Sequence, residues 1–174
     1  SETDGVQYGV PGSANLKSLV WYQPQAFADA GYEIPTTFAE FTSLVDTITA
    51  AGGSKALCVG IESGQATGWT YTDWVEDMVL RQHGADVYDQ WVLHEIPFND
   101  PKVVEAIETF GMFAKHDDMV AGGSGAVGTT DFRDSTGGMF SSPAQCYLHR
   151  HVSPAPAFFP HARELGTHTD FFDV

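Results

Sequence analysis

The chain has 174 residues, with 23 Asp and Glu set against 8 Lys and Arg, for a formal charge of -15. That surface repels a phosphate backbone, so nucleic acid is excluded as an expected partner. The length suits one domain over 1–174 rather than two, 43% hydrophobic residues suffice for a core, and no run approaches the ~20 apolar residues of a membrane helix.

Ser1 to Tyr8 carry neither a basic start nor an apolar run, and no export signal is read there. Val6 to Val10 and Leu16 to Tyr22 are rich in apolar, β-branched and aromatic residues, and the turn formers Pro11 to Asn15 separate them. Their simplest reading is a strand pair. Pro24 at a first helical position, the apolar Ala26, Phe27 and Ala30, and Gly31 as a stop predict a two-turn helix. Phe38, Phe41, Leu44, Val45 and Ile48 then fall on one helical stripe, with Thr37 and Glu40 spaced as a capping box and Gly52 and Gly53 ending it.

Ala56 to Ile61 reads as a short buried strand containing Cys58. The glycine-rich, aromatic stretch Glu62 to Thr72 follows as an exposed loop carrying Trp69 and Tyr71. A helix is expected to start after Thr72, with Trp74, Val75, Met78 and Val79 on its apolar side and Gly84 as its stop. A less regular segment holds Tyr88 and Trp91. Asn99, Asp100 and Pro101 mark another helix start, whose core residues are Val103, Val104, Ile107, Phe110 and Phe113. The Gly, Ser and Thr of Ala121 to Gly138 predict loop with one short helix, and Ala144 to His149 reads as a strand with Cys146 in its middle. The remainder, 152–174, is a Pro- and Phe-rich tail with little expected regular structure. Strands alternating with helices give an α/β (α+β) class, with ligands favoured where loops leave strand ends.

Sugars present apolar C–H faces rimmed by hydroxyls, so their sites pair flat aromatic rings with carboxylates, amides and Arg. Trp69, Tyr71, Trp74, Tyr147, Glu62, Gln65, Asp73 and Arg150 supply that chemistry near the two strand ends. Trp74 lies in a helical stripe and reads first as core, whereas Trp69, between Gly68 and Thr70 in a loop, reads equally as a ligand contact or as core. His149 and His151 are spaced to share one face of a strand, with His161 and His168 downstream. Zinc wants three or four ligands at recognisable spacing, which these histidines lack, so no metal is expected. Glu62 with Asp73 or Asp77 has the composition of a glycosidase pair, but acidic residues are too abundant here for a pair to carry weight. No nucleophile elbow, phosphate loop or zinc-protease motif occurs, and the glycines of Gly122 to Gly128 read as loop, so neither an enzyme nor a cofactor is expected. Cys58 and Cys146 allow one bridge or two buried thiols.

The order GVPGSANLKSLVWYQPQAFADAGYEIPTTFAEF, CVGIESGQATGWTYTDWVEDMVLRQHGADVYDQW, IPFNDPKVVEAIETFG and CYLHRHVSPAPAFFP resembles extracellular solute-binding proteins of sugar ABC transporters, and most of all their α-glucoside-binding branch. The similarity runs from about Tyr8 to Phe172. It implies one lobe of a periplasmic-binding-protein type II-like fold, either an excised piece or a gene fragment that has become free-standing. It further implies a periplasmic or extracellular setting, a sugar ligand and an ABC permease as partner. On that resemblance Gly68 and Trp69, and the strand near Cys146, face the interlobe cleft. Trp69 and Tyr147 would stack on the sugar, with Glu62, Tyr71, Asp73 and Arg150 near its hydroxyls. Relatives tend to have Gly-Cys-Trp where this chain has Gln145, Cys146 and Tyr147, and an aromatic residue where it has Gly12. A Cys58–Cys146 disulfide is implied as well, since the fold brings the two strands together and export permits a bridge. An exposed interlobe face implies a homo-oligomer. The alternative is a free-standing oligomeric interaction domain of the same ancestry without transport activity.

Overall fold

The computed structural model describes residues 2–160 and 164–174, so His161 lies outside the described residues. A short ribbon, β1 (Glu2–Thr3) with β2 (Val6–Gln7), precedes the main sheet. That sheet contains β3 (Leu19–Tyr22), β4 (Lys55–Leu57), β5 (Cys146–His151) and β6 (Asp170–Phe172) in the order β4-β5-β3-β6. β4 runs parallel to β5, while β3 lies antiparallel between β5 and β6.

The expected pairing of Val6–Val10 with Leu16–Tyr22 is corrected. β2 pairs with β1, residues 8–18 have no regular structure, and β3 takes β5 and β6 as neighbours. All four residues of β3 are buried, which requires a central strand covered on both faces, whereas Tyr8, Val10 and Leu16 are exposed. Alternation along β3 divides the interior accordingly. Val20 and Tyr22 join the larger cluster with Phe41, Val45, Ile48, Leu57, Trp74, Phe113 and Leu148, and Leu19 and Trp21 join Met139, Ala155 and Phe159.

The helices follow from caps and stripes. α1 (Pro24–Ala30) starts on proline and stops at Gly31, whose φ of 71° is left-handed. α2 (Phe38–Ala51) is capped by the Thr37 side chain, which accepts from Glu40 N, and buries Phe41, Leu44, Val45 and Ile48. α3 (Trp69–His83) starts earlier than expected, because the Gly68 backbone turns the chain and no side-chain cap is used. Trp69 is therefore the first helical residue, not part of an exposed loop. α4 (Ala85–Val92) occupies the segment read as irregular, and α5 (Pro101–Ala114) is capped by Asp100 as the sequence predicts. Val75, Met78, Val79, Val87 and Ala106 form a third cluster among these three helices.

Two short 3-10 turns, Ser124–Ala126 and Ser135–Phe140, occupy the glycine-rich stretch. Strand bounds also move. Cys58 lies one residue beyond β4, and Cys146 is the first residue of β5 rather than its middle. Among its described residues the tail contains one 3-10 turn, Ala155–Phe158, and it ends in β6, whose Phe172 pairs with Val20. Cys58 and Cys146 form the disulfide, with Cα atoms 5.5 Å apart and both residues buried. No helix among the described residues is long and apolar enough to cross a membrane.

Candidate functional site

The chain leaving β4 is steered by a glycine with no room for a side chain. A Cβ on Gly60 would lie 2.6 Å from the Thr130 carbonyl oxygen and 2.9 Å from Ser135 Cβ. This close approach lets Glu62 N donate to Thr130 O, and Phe132 N to Glu62 O, both at 3.1 Å. The Glu62 carboxylate accepts from Gly64 N at 2.6 Å and so shapes the following turn. Gly68 then adopts a φ of 100°, its N–H donates to Ile61 O at 2.8 Å, and α3 begins at Trp69.

Trp69 is half-buried, and its ring meets Phe132 edge-on at 5.0 Å and His151 edge-on at 5.2 Å. The Lys17 ammonium lies 5.3 Å from the indole centroid and donates to Asp73 at 2.8 Å. On the other side Arg133 lies over the Phe132 ring at 5.2 Å and pairs with Asp131. The Arg133 side chain and N–H hold the Asp131 carboxyl well below its ordinary value, at about 2. An aromatic platform thus lies amid Glu62, Asp73, Asp131, Lys17 and Arg133, groups that accept and donate hydrogen bonds around an apolar ring face.

Of the residues read from sequence, Glu62, Gly68, Trp69 and Asp73 come together here. Tyr71 does not, because its ring packs on Phe110 at 4.9 Å between α3 and α5, where burial raises its pKa. Tyr147 packs on Tyr32 at 5.3 Å and Phe27 at 6.4 Å, four strand positions along β5 from the His151 that meets Trp69. Arg150 is buried, its guanidinium 4.4 Å from the Trp74 centroid and paired with Asp77. Trp74 is core, as its stripe predicts, and Gln65 is exposed on the 3-10 turn after Glu62. The histidine spacing is realised too: the His149 and His151 rings stack with centroids 4.9 Å apart. Among the described residues no group of three or more His, Cys, Asp or Glu is placed to hold a metal.

Sequence reasoning missed Lys17, Asp131, Phe132 and Arg133. Phe132 is the single aromatic residue in the Ala121 to Gly138 stretch and has charged neighbours on both sides. That contrast was the available signal.

Over residues 1–174 the sequence matches the profile of bacterial extracellular solute-binding proteins. The chain belongs to that family. This solute-binding protein chain is 52% identical over 165 residues to the alpha-glucosides-binding periplasmic protein AglE of Rhizobium meliloti (strain 1021), covering 95% of the chain and 36% of AglE. It is 47% identical over 157 residues to the osmoprotective compounds-binding protein GgtB of Synechocystis sp. (strain ATCC 27184 / PCC 6803 / Kazusa), covering 90% of the chain and 37% of GgtB. The solute-binding chain therefore spans little more than a third of the length of these curated relatives. Its fold matches the bacterial solute receptor AcbH at a TM-score of 0.74 and 21% identity, over 92% of this chain and 38% of AcbH. A chitin oligosaccharide binding protein matches at 0.74 and 18% identity, over 99% of this chain and 41% of that one. The mixed sheet with helices is the single-lobe architecture that the resemblance implied.

Proposed function

We propose that this chain supplies one wall of a carbohydrate-binding site in a transport receptor, with an α-glucoside as the favoured ligand class. The observation that carries the reading is the Trp69 ring, held at the start of α3 by Gly68 and surrounded by Glu62, Asp73, Lys17 and the Asp131–Arg133 pair. The indole face offers stacking to a pyranose, and the charged rim offers partners to its hydroxyls. Relatives named for binding alpha-glucosides and osmoprotective compounds favour a receptor over an enzyme or a free-standing interaction domain. Delivery to an ABC permease, a periplasmic or extracellular setting and self-association are parts of the same proposal.

Tyr147 and Arg150 enter it differently from Trp69. Tyr147 with Tyr32 offers a second aromatic patch, and Arg150 acts from beneath through Asp77 and Trp74. A single wall buries far less of a sugar than the 70–90% typical of closed pockets, so affinity is expected to be weak.

Heteronuclear NMR titration with maltose, trehalose and sucrose tests the reading. Localised shifts at the Trp69 indole, Asp73 and Phe132 are expected, and Trp69→Ala should weaken the response by roughly tenfold, about 1.4 kcal/mol. Absence of saturable shifts at these residues would sink the proposal, and the growth of product peaks would replace it with a hydrolase.

A further inference from the structure

Under the Trp69 platform, where β5 faces α3, two small cavities adjoin. The first is lined by Ser18, Thr70, Asp73, Trp74, Arg150 and His151. The second shares four of these residues and extends to His149 and to Cys58, Val59, Gly60 and Ile61. Each offers about 10 Å³ to the centre of a water molecule, which is the least that one water needs.

The lining is polar and unsatisfied. Ser18 Oγ, Arg150 Nη1, both ring nitrogens of His151 and Nε2 of His149 have no hydrogen-bond partner among the described residues, and all four residues are buried, at 2–6% exposure. Buried polar atoms are nearly always paired with protein or with ordered water. His149 Nδ1 is placed for a hydrogen bond to Cys58 O at 2.8 Å, so the contrast falls within one ring.

Ser18 adds a second observation. Its φ of 65° is left-handed, a conformation that glycine adopts with least strain, yet the residue carries a hydroxyl that lines the cavity.

Charge decides the occupant. Arg150 is balanced by Asp77, which also pairs with Arg81, and Lys17 by Asp73, so an added anion would face Asp73 in the lining and an added cation would face Arg150. Burial also keeps both imidazoles neutral, which leaves each ring with one nitrogen that accepts. Arg150 Nη1 donates only. The group that serves both kinds of atom is neutral, donates, accepts and is very small.

We propose that the two cavities form one internal hydration site holding two water molecules, which bridge Arg150 Nη1, Ser18 Oγ and the His149 and His151 rings. These waters fix the His151 ring that abuts Trp69. Ser18 is thus a positioning residue that acts through solvent. The inference does not depend on sugar binding.

Water-to-protein Overhauser measurements on the labelled whole chain, with no sugar present, test it. Cross-peaks from long-lived water to Trp74 and Thr70 side-chain protons are expected, and a high-resolution crystal structure should show one water in each cavity. Ser18→Ala should remove the cross-peaks of the water in the first cavity, which Ser18 lines, while leaving the amide fingerprint outside this region unchanged. Ser18→Gly, which relieves the backbone, gives the same readout if the alanine variant fails to fold. Empty cavities in the crystal, or no long-lived water signal in a natively folded sample, would overturn the proposal. Saturable bromide-induced shifts at Arg150 and His151, or an anomalous bromide peak there, would replace the waters with an anion.

Discussion

Two buried imidazoles give the chain an acid-sensitive interior. Desolvation pushes the His149 pKa down from 6.5 to about 4, and His151 falls to about 3 through burial, the neighbouring His149 and Lys17. Both rings are neutral in the fold, while the unfolded chain binds their protons at ordinary imidazole values. Stability is therefore fully present above pH 6.5 and falls as pH drops from there toward about 4. His149 alone accounts for about 3 kcal/mol of that loss. Urea unfolding across this range should show the slope, and His149→Gln should reduce it while His151 keeps the rest; a pH-independent midpoint would refute the account. Gly60 makes a second residue-scale case. Its Cβ position is blocked by the Thr130 carbonyl, so Gly60→Ala should cost about 1–3 kcal/mol through backbone displacement. The displacement should appear as amide shifts at Glu62 and Phe132, which hydrogen-bond across the same junction.

At the scale of elements, Thr37 both accepts from Glu40 N and sits beside Thr36, whose N–H and hydroxyl donate to the Glu40 carboxylate. Those bonds hold the Glu40 carboxyl below its usual range. Thr37→Ala should lower stability by about 1 kcal/mol, measured by denaturant midpoint. α1, α2 and α5 were legible in the sequence because each has a side-chain or proline start and a periodic apolar stripe. α3 was misplaced at its start because Gly68 turns the chain with its backbone, and the nearby Thr72 offered a more familiar signal. α4 escaped notice because it buries only Val87, with Tyr88 and Trp91 partly exposed and Ala85 and Val92 exposed. The β3 partners were illegible for another reason: an apolar strand shows that it is buried but not which strands flank it. The site divides along the same line. Glu62, Gly68, Trp69 and Asp73 lie within one continuous segment and were readable together. Lys17 and Phe132 arrive from remote segments, and only the folded chain brings them to the indole. Tyr71 follows Trp69 by two helical positions, which turns it toward Phe110 and away from the platform.

For the molecule as a whole, the disulfide closes a loop with a sequence separation of 88. A crosslink of that span restricts the unfolded ensemble enough to stabilise the fold by about 2–5 kcal/mol. Unfolding with and without reductant should show the difference, and thiol titration under denaturing conditions should find no free thiol. Exposed Tyr8, Val10 and Leu16 lie in the irregular segment before β3, while exposed Val92 ends α4 and Leu93 and Phe98 follow it. Such patches motivate the proposed self-association, which sedimentation at rising concentration tests. A weight-average mass that stays monomeric would remove that part of the reading. The proposed ligand platform lies at a strand-to-helix junction, the kind of place where sheets with helices on their faces favour ligands.

The sheet order also governs when the protein can acquire its shape. Every pairing in the four-stranded sheet joins a strand before Ser63 to one after Gln145. During synthesis, therefore, β3 and β4 emerge from the ribosome before β5 and β6, the strands they pair with, while α1, α2 and α3 are free to form from local signals. Such non-local contacts make folding slow and leave apolar strands open to aggregation in the meantime. The covalent link between Cys58 and Cys146 spans the same separation, tying the end of β4 to the start of β5 across that late pairing.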